Sequence, residues 1–456
     1  MKRTLLIRNK GDILVAVLAL ISAFIVFYNS GLQYSFKVLL MFYTICILAL
    51  YGIFLSKDQS SFSLNKTFNL FYFFFFGLAP AVQFKFENSF FNAPKFNETD
   101  YLKGGAILLI ILILYTILYK YSYTFFLKKM RKPFEIEHKK EQLWWYYVAA
   151  IGALVLTLLI VKFNFEVLIL RPPAHFLKLN TNFGLVGYSL LLIVRAIPII
   201  ILLRYLLIGG SNWKHIVFLG LIALLTAFPL SLSRGIAAAY YIPFIVFLNP
   251  IKKSKYYYAS CYFLGVFLIF PLLNFFRNTN NHLSLGVAAF KTGHFDAFQN
   301  FLLIINEEII TGGRQLIGAL LFFVQDSVWY TKPLGTGTLL AKELNFNHIN
   351  VAMPFFGEGY ANFGYFGIAL FLMLIVILNA YLDTSFHNRN RSIFIKIGYL
   401  FLLGFEFYLL RGDLSSSVKK ATSFLIALIL VHFYIKIMKK LTVLILPKFQ
   451  NEKETN

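Results

Sequence analysis

Charged residues are scarce in this chain, acids scarcer still, and cysteine is almost missing. Only 14% of the 456 residues are Asp, Glu, Lys or Arg, whereas soluble domains carry about a quarter. That shortage excludes an ordinary soluble fold. With 59% hydrophobic residues and a mean hydropathy of +0.69, the composition is instead that of a multi-span membrane protein. The two cysteines, Cys46 and Cys261, both lie in apolar runs, which excludes a disulfide framework and a cysteine-based metal site. Twenty acids face 43 basic residues, for a net charge of +23. On a soluble surface that excess would point to nucleic acid. Here the Lys and Arg cluster between apolar runs, a pattern that orients a protein in a bilayer, so no nucleic-acid partner is expected.

Runs of about 17 to 25 apolar residues mark membrane spans. They fall near 12–28, 36–55, 67–84, 104–127, 144–161, 183–208, 215–231, 236–249, 257–276, 358–381, 393–410 and 420–437. The reading is an all-α polytopic membrane protein with about twelve transmembrane helices. The N-terminal run has the basic start of a signal sequence but no convincing cleavage site, so it is read as an uncleaved first span. The basic or strongly polar intervals at the N-terminus, 128–140, 249–255, 387–391 and from Lys436 onward all fall on one side. Both termini are therefore expected in the cytoplasm. The chain divides into helices over 1–276, a long outward interval over 277–357, further spans over 358–437 and a cytoplasmic tail over 438–456.

The outward interval is where continuous hydrophobicity breaks down. Phe295, Phe298, Phe301, Leu302 and Ile305 recur there at helical spacing. The run QLIGALLFFV (315–324) is too short to cross and reads as a buried or interfacial helix. No repeat relates the two halves of the chain, which counts against the inverted-repeat plan of many transporters.

Arg171, Arg234, Arg277, Arg314 and Arg411 all lie at or beyond the outward ends of these spans, where orientation by charge disfavours them. A guanidinium presents a planar, always charged fork of donors that matches phosphate oxygens. Converging on one cavity, these side chains would suit a lipid-linked pyrophosphate; singly, each would snorkel to headgroups or pair with a local acid. Arg314 stands out because Gly312 and Gly313 precede it and an apolar helix follows. Glycines let backbone approach a ligand, and a helix start offers N–H groups. In PLGTGT (333–338), beside Lys332, Gly335 and Gly337 could similarly wrap phosphate or sugar, although the ending of a P-loop is absent.

Among the acids, Glu307, Glu308 and Asp326 lie in the outward interval and Glu358 stands at the start of a span. A carboxylate so placed could serve as general base on a sugar hydroxyl or pair with an arginine. His282, His294 and His348 could share the base role, and their spacing matches no metal-ligand pattern. Trp329 and Tyr330 could stack on a sugar ring or sit at the membrane interface. Within the spans, Arg195 and Glu406 read as a cavity wall or an interhelical pair, and Arg204 as a snorkelling residue.

The stretches GGRQLIGALLFFVQDSVWYTKPLGTG (312–337) and MPFFGEGYANFGYFGI (353–368), with a long outward loop late in the chain, resemble the Wzy-type polymerases that join lipid-linked oligosaccharide repeat units into O-antigen or capsular polysaccharide. At Gln325-Asp326 the resemblance would lead one to expect a basic residue, a departure that bears on that turn. The resemblance implies a GT-C-like fold in the bacterial inner membrane, working at its outer face without metal or cofactor. Its donor would be a glycan on undecaprenyl pyrophosphate and its acceptor a new lipid-linked unit, with a chain-length regulator as a further candidate partner. Under that resemblance Arg277 and Arg314, with Arg171, Arg234 and Arg411, would hold the pyrophosphate. Glu358 or His294 would activate the acceptor, and Trp329, Tyr330, Lys332, Gly335 and Gly337 would contact substrate. A lipid-linked oligosaccharide flippase and an O-antigen ligase are the competing expectations.

Overall fold

The computed structural model describes residues 2–28, 31–55, 60–130, 141–170, 184–248, 254–269, 286–325, 327–388 and 391–453, together with 251, 271 and 272. Among the described residues every regular element is a helix. In chain order they are α1 (Lys2–Phe27), α2 (Phe36–Phe54), α3 (Leu64–Lys85), α4 (Glu98–Lys129), α5 (Leu143–Ile160), α6 (Gly184–Leu207), α7 (Trp213–Thr226) and α8 (Arg234–Ile245). There follow α9 (Tyr256–Ile269), α10 (Ala297–Asn306), α11 (Arg314–Leu320), α12 (Thr336–Glu343), α13 (Phe355–His387), α14 (Ile393–Arg411) and α15 (Leu414–Lys453). Shorter single turns join some of them.

Among the described residues, eight helices are long and apolar enough to cross a membrane: α2, α3, α4, α5, α13, α14, Ser189–Leu207 within α6 and Leu414–Thr442 within α15. The other four expected spans coincide with helices whose described apolar part is shorter, the one over 257–276 falling partly outside the described residues. The one expected over 215–231 ends at Thr226, just before Phe228 and Pro229, because proline cannot continue the N–H ladder and disfavours helix in the residue before it. The one expected over 236–249 is α8, 12 residues long with Pro243 inside it. The apolar part of α1 is Ile13–Phe27, and α9 carries a π-helical stretch at Gly265–Ile269.

The chain forms two compact units. The first comprises residues 1–131, 245–387 and 405–419, the second 132–244, 388–404 and 420–456. In the first unit, α4 starts at a reciprocal cap: the Asp100 N–H donates to the Asn97 side chain at 2.9 Å, and the Asn97 N–H donates to the Asp100 carboxylate at 3.0 Å. Aromatic contacts then tie the helices together. Phe68 of α3 stacks on Tyr115 of α4 at 3.6 Å, and Phe42 of α2 meets Phe298 of α10 edge-on at 5.2 Å. The five residues expected to form a helical stripe, Phe295, Phe298, Phe301, Leu302 and Ile305, are all buried on or beside α10. Burial of four such side chains on α10 stabilises the unit by roughly 6–12 kcal/mol before chain entropy is counted.

A polar seam runs through the same unit. The Asp383 carboxylate accepts the Leu64 and Asn65 N–H groups at 2.8 and 3.2 Å, which satisfies the start of α3, and accepts the Tyr119 hydroxyl at 2.7 Å. One turn earlier on α13, the Asn379 amide donates to Glu406 at 2.6 Å and to the Tyr115 hydroxyl at 3.1 Å. Glu406 is thus one half of an interhelical pair, one of the two roles its sequence position suggested.

In the second unit, Ala153, Ile160, Val161, Val167, Leu168, Leu191 and Val194 form the apolar core between α5 and α6. Arg204 does not snorkel there. Its guanidinium grips Glu141 at 2.5 and 2.9 Å, and Lys439 reaches the same carboxylate at 2.7 Å. A fork-to-fork ion pair within reach outcompetes extension to the headgroups. Arg195 donates to the Ser231 hydroxyl at 3.3 Å and to the Val167 carbonyl at 3.1 Å.

Candidate functional site

The motifs that stand out in the sequence meet in the first unit, around the start of α13. This helix is broken at Phe363 and Gly364, where Gly364 takes φ +63° and ψ −146°, a conformation reserved almost wholly for glycine. The break folds Phe355–Asn362 tightly onto the longer segment behind it. A Cβ at Gly367 would lie 1.8 Å from the Gly359 carbonyl oxygen, and one at Gly359 would lie 2.7 Å from that of Gly367. The glycines of GEGYANFGYFG are there for this backbone-to-backbone contact.

The Gly312–Arg314 turn is sewn onto the broken helix. The Thr311 N–H and hydroxyl both donate to the Ala361 carbonyl, at 2.7 and 2.8 Å, and the Gly313 N–H donates to the Asn362 carbonyl at 2.9 Å. Both glycines have positive φ, +59° and +88°. Asn362, fully buried, completes the seam: its side-chain oxygen accepts the Leu316 N–H and its amide donates to the Glu358 carbonyl, each at 2.8 Å. One of the α11 N–H groups that the sequence offered to an anion is therefore taken by Asn362.

Arg314 is left facing outward. It is exposed, and the contact seen for its guanidinium is a 3.3 Å hydrogen bond to the Thr331 carbonyl; among the described residues no carboxylate pairs with it. Arg411 differs, since it holds the Asp296 carboxylate at 2.8 Å and the Gly293 carbonyl at 3.2 Å. Arg234 opens α8 in the second unit. Arg171, Arg277, Asp326 and His282 lie outside the described residues.

Glu358 is 1% exposed, and both of its oxygens are engaged. One accepts the Thr336 hydroxyl at 2.6 Å, the other the Leu414 N–H at 2.8 Å. It lines a tight crevice together with Gln315, Gly318, Pro333, Thr336 and Leu414. Asp413 closes the neighbouring turn: its carboxylate accepts the Gly337 N–H at 3.1 Å, within the first turn of α12, and the Ser415 N–H at 3.0 Å. The PLGTGT glycines serve this approach. A Cβ at Gly335 would lie 2.5 Å from the Asp413 carboxylate, and one at Gly337 would lie 1.9 Å from the Val351 carbonyl. The chain's own carboxylate stands where the sequence suggested a phosphate.

The remaining candidates are spread along the interval. His294 is half-buried on the single turn Gly293–Phe295, and His348 is exposed with its ring stacked 5.5 Å from that of Phe91. Trp329 is half-buried and Tyr330 is 88% exposed. Lys332 donates to the Phe322 and Val324 carbonyls at 3.0 and 2.7 Å, capping the chain that leaves α11. Glu307 and Glu308 are exposed. No three His, Cys, Asp or Glu side chains converge in a metal-holding arrangement among the described residues.

Sequence reasoning missed Asn362, Thr336 and Asp413. Asn362 sits inside the glycine motif and Asp413 two residues beyond Arg411, so both were within sight of residues already singled out. No family model matches the chain, and neither a curated protein nor a solved structure matches it.

Proposed function

We propose that the protein is a repeat-unit polymerase of the Wzy type, moving a growing glycan from undecaprenyl pyrophosphate to a hydroxyl of an incoming lipid-linked unit. The observation that carries this reading is Arg314: an exposed guanidinium without a carboxylate partner among the described residues, on a turn anchored to the GEGYANFG helix. Such a charge, held by buried hydrogen bonds in a chain this poor in acids, fits the phosphate oxygens of a lipid-linked donor. Arg314 then stabilises the charge that develops on the pyrophosphate as the anomeric bond breaks. In this reading the eight long helices together with α1, α7, α8 and α9 account for the twelve spans of a GT-C-like fold. In the same reading residues 277–357 face the outside of the bacterial inner membrane and both termini face the cytoplasm, an orientation that the basic clusters support.

The test is polymerisation of lipid-linked repeat units in vitro. Arg314→Ala, present at normal level, is expected to yield no long chains, and full-length product from that variant would refute the role. A transporter of lipid-linked oligosaccharide is the second reading. Glu406, Asn379 and Asp383 favour it, since polar groups buried in spans often line transport paths. Glycan length in a deletion strain separates the readings: a single repeat unit left attached marks a polymerase, and no attached glycan marks a flippase or a ligase.

A further inference from the structure

Helix α11 is amphipathic in the reverse sense to a helix facing water. Gln315, Gly318 and Ala319, one face at helical spacing, are buried. Two of its three large aliphatic side chains stand outside, with Ile317 50% and Leu320 56% exposed and Leu316 half-buried, and Phe323 just beyond is 68% exposed. The neighbouring α10, in the same interval of chain, buries all its apolar side chains, so the exposure is particular to α11. A helix that hides its glycine and shows its aliphatics is built for an apolar surrounding.

What that surrounding is follows from where the apolar surface leads. Ile310, 54% exposed, touches the break in α13: its Cδ1 lies 3.3 Å from the point where a Cβ on Gly364 would stand. Tyr365 and Phe366, 57% and 72% exposed, begin the long segment of α13 directly after that break. The turn that leads into α11 therefore packs against the start of a membrane span, with exposed apolar side chains on both. Arg314 stands exposed at the head of the same helix. Aliphatic and aromatic side chains on one side with a cation at the edge are the composition of a segment that lies in the interface plane.

We propose that Ile310–Phe323 is an interfacial segment, its apolar face immersed at the boundary of headgroups and acyl chains, which sets Arg314 at the depth of the lipid phosphates. The occupant of this face is the bilayer. The inference deepens the polymerase reading, and rests on it only for which phosphate Arg314 then meets: the pyrophosphate of a lipid-linked donor lies at that depth.

The experiment places an environment-sensitive fluorophore (NBD) on Phe323→Cys, in the full chain with Cys46→Ala and Cys261→Ser, reconstituted into phosphatidylcholine–phosphatidylglycerol vesicles. The exposed Glu307→Cys is the control, and Leu320→Cys supplies a second reporter if the first variant does not fold. Emission from position 323 is expected at shorter wavelength than from 307. It should be quenched about twofold by lipid spin-labelled near the headgroup, less by lipid labelled near the chain end, and little by aqueous iodide. Emission matching the control with strong iodide quenching would overturn the proposal and leave the face to water or to a protein partner. Quenching strongest from the chain end would overturn the assigned depth. The readout is location alone, so it stands or falls independently of whether Arg314→Ala abolishes polymerisation.

Discussion

Asn362 accepts the backbone N–H of Leu316 at 2.8 Å, a side-chain contact that joins the start of α11 to the glycine-rich start of α13 beside the Thr311 and Gly313 bonds. The same side chain donates to the Glu358 carbonyl, so both its oxygen and its nitrogen are engaged within the seam. Asn362→Ala would remove both bonds and leave the Leu316 N–H without its partner, at about 1–3 kcal/mol. The expected result is a lowered thermal midpoint in detergent and earlier proteolysis within residues 307–316, measured against the parent chain. An unchanged midpoint would mean that the turn is held by the Thr311 and Gly313 bonds alone.

The backbone contact between Gly359 and Gly367 leaves no room for a methyl group. Gly367→Ala forces apart two chain segments whose separation is set by that contact, and is expected to cost about 3 kcal/mol or more. Gly398→Ala, at a position where a Cβ meets nothing, is the matched control and should be close to neutral or slightly stabilising in its helix. Thermal unfolding of both variants in the same detergent checks the contrast.

Arg411 and Asp296 form a pair in which the carboxylate side chain is 2% exposed and the guanidinium 26%. Removing the arginine strands a buried acid, so Arg411→Ala should destabilise by about 2–4 kcal/mol, discounted for the arginine's partial exposure. Asp296→Asn in the same chain should recover much of that loss. Recovery of stability together with polymerisation would show that Arg411 serves the fold; recovery of stability alone would leave it a contact with the donor.

Glu141, just before α5, provides the pH dependence. Burial favours its neutral form, but the hydrogen bonds and charge of Arg204, then Lys439 and Tyr146, outweigh burial and hold its carboxyl at about 2. A depressed carboxyl stabilises the folded state at every pH above its unfolded value of about 4.3, and that contribution fades as pH falls toward 2. Its size at neutral pH is on the order of 3 kcal/mol. The parent chain should therefore unfold at a higher temperature than Glu141→Gln at pH 7, with the gap narrowing between pH 4 and pH 2. A gap that widened with acid would contradict the ion pair.

Hydrophobic runs and basic clusters were enough, by themselves, to declare an all-helical membrane protein, because a bilayer admits spanning helices only where side chains are apolar along their whole length. The same linear signal located the helical stripe from Phe295 to Ile305 and singled out the GGR, PLGTG and GEGYANFG stretches. It could not say what those glycines approach. Gly335 and Gly337 meet Asp413 and Val351, and Gly359 meets Gly367, through steric contacts that composition and spacing do not encode. Likewise, the two glycines before Arg314 lent it the greater weight in the sequence, but could not say which of the outward arginines would meet an acid. Tertiary structure supplied that, by bringing a buried carboxylate to Arg411 and placing Arg314 on a turn whose bonds leave its guanidinium facing out. The sequence decides which side chains are costly to bury or expose; which of them find partners depends on residues far along the chain.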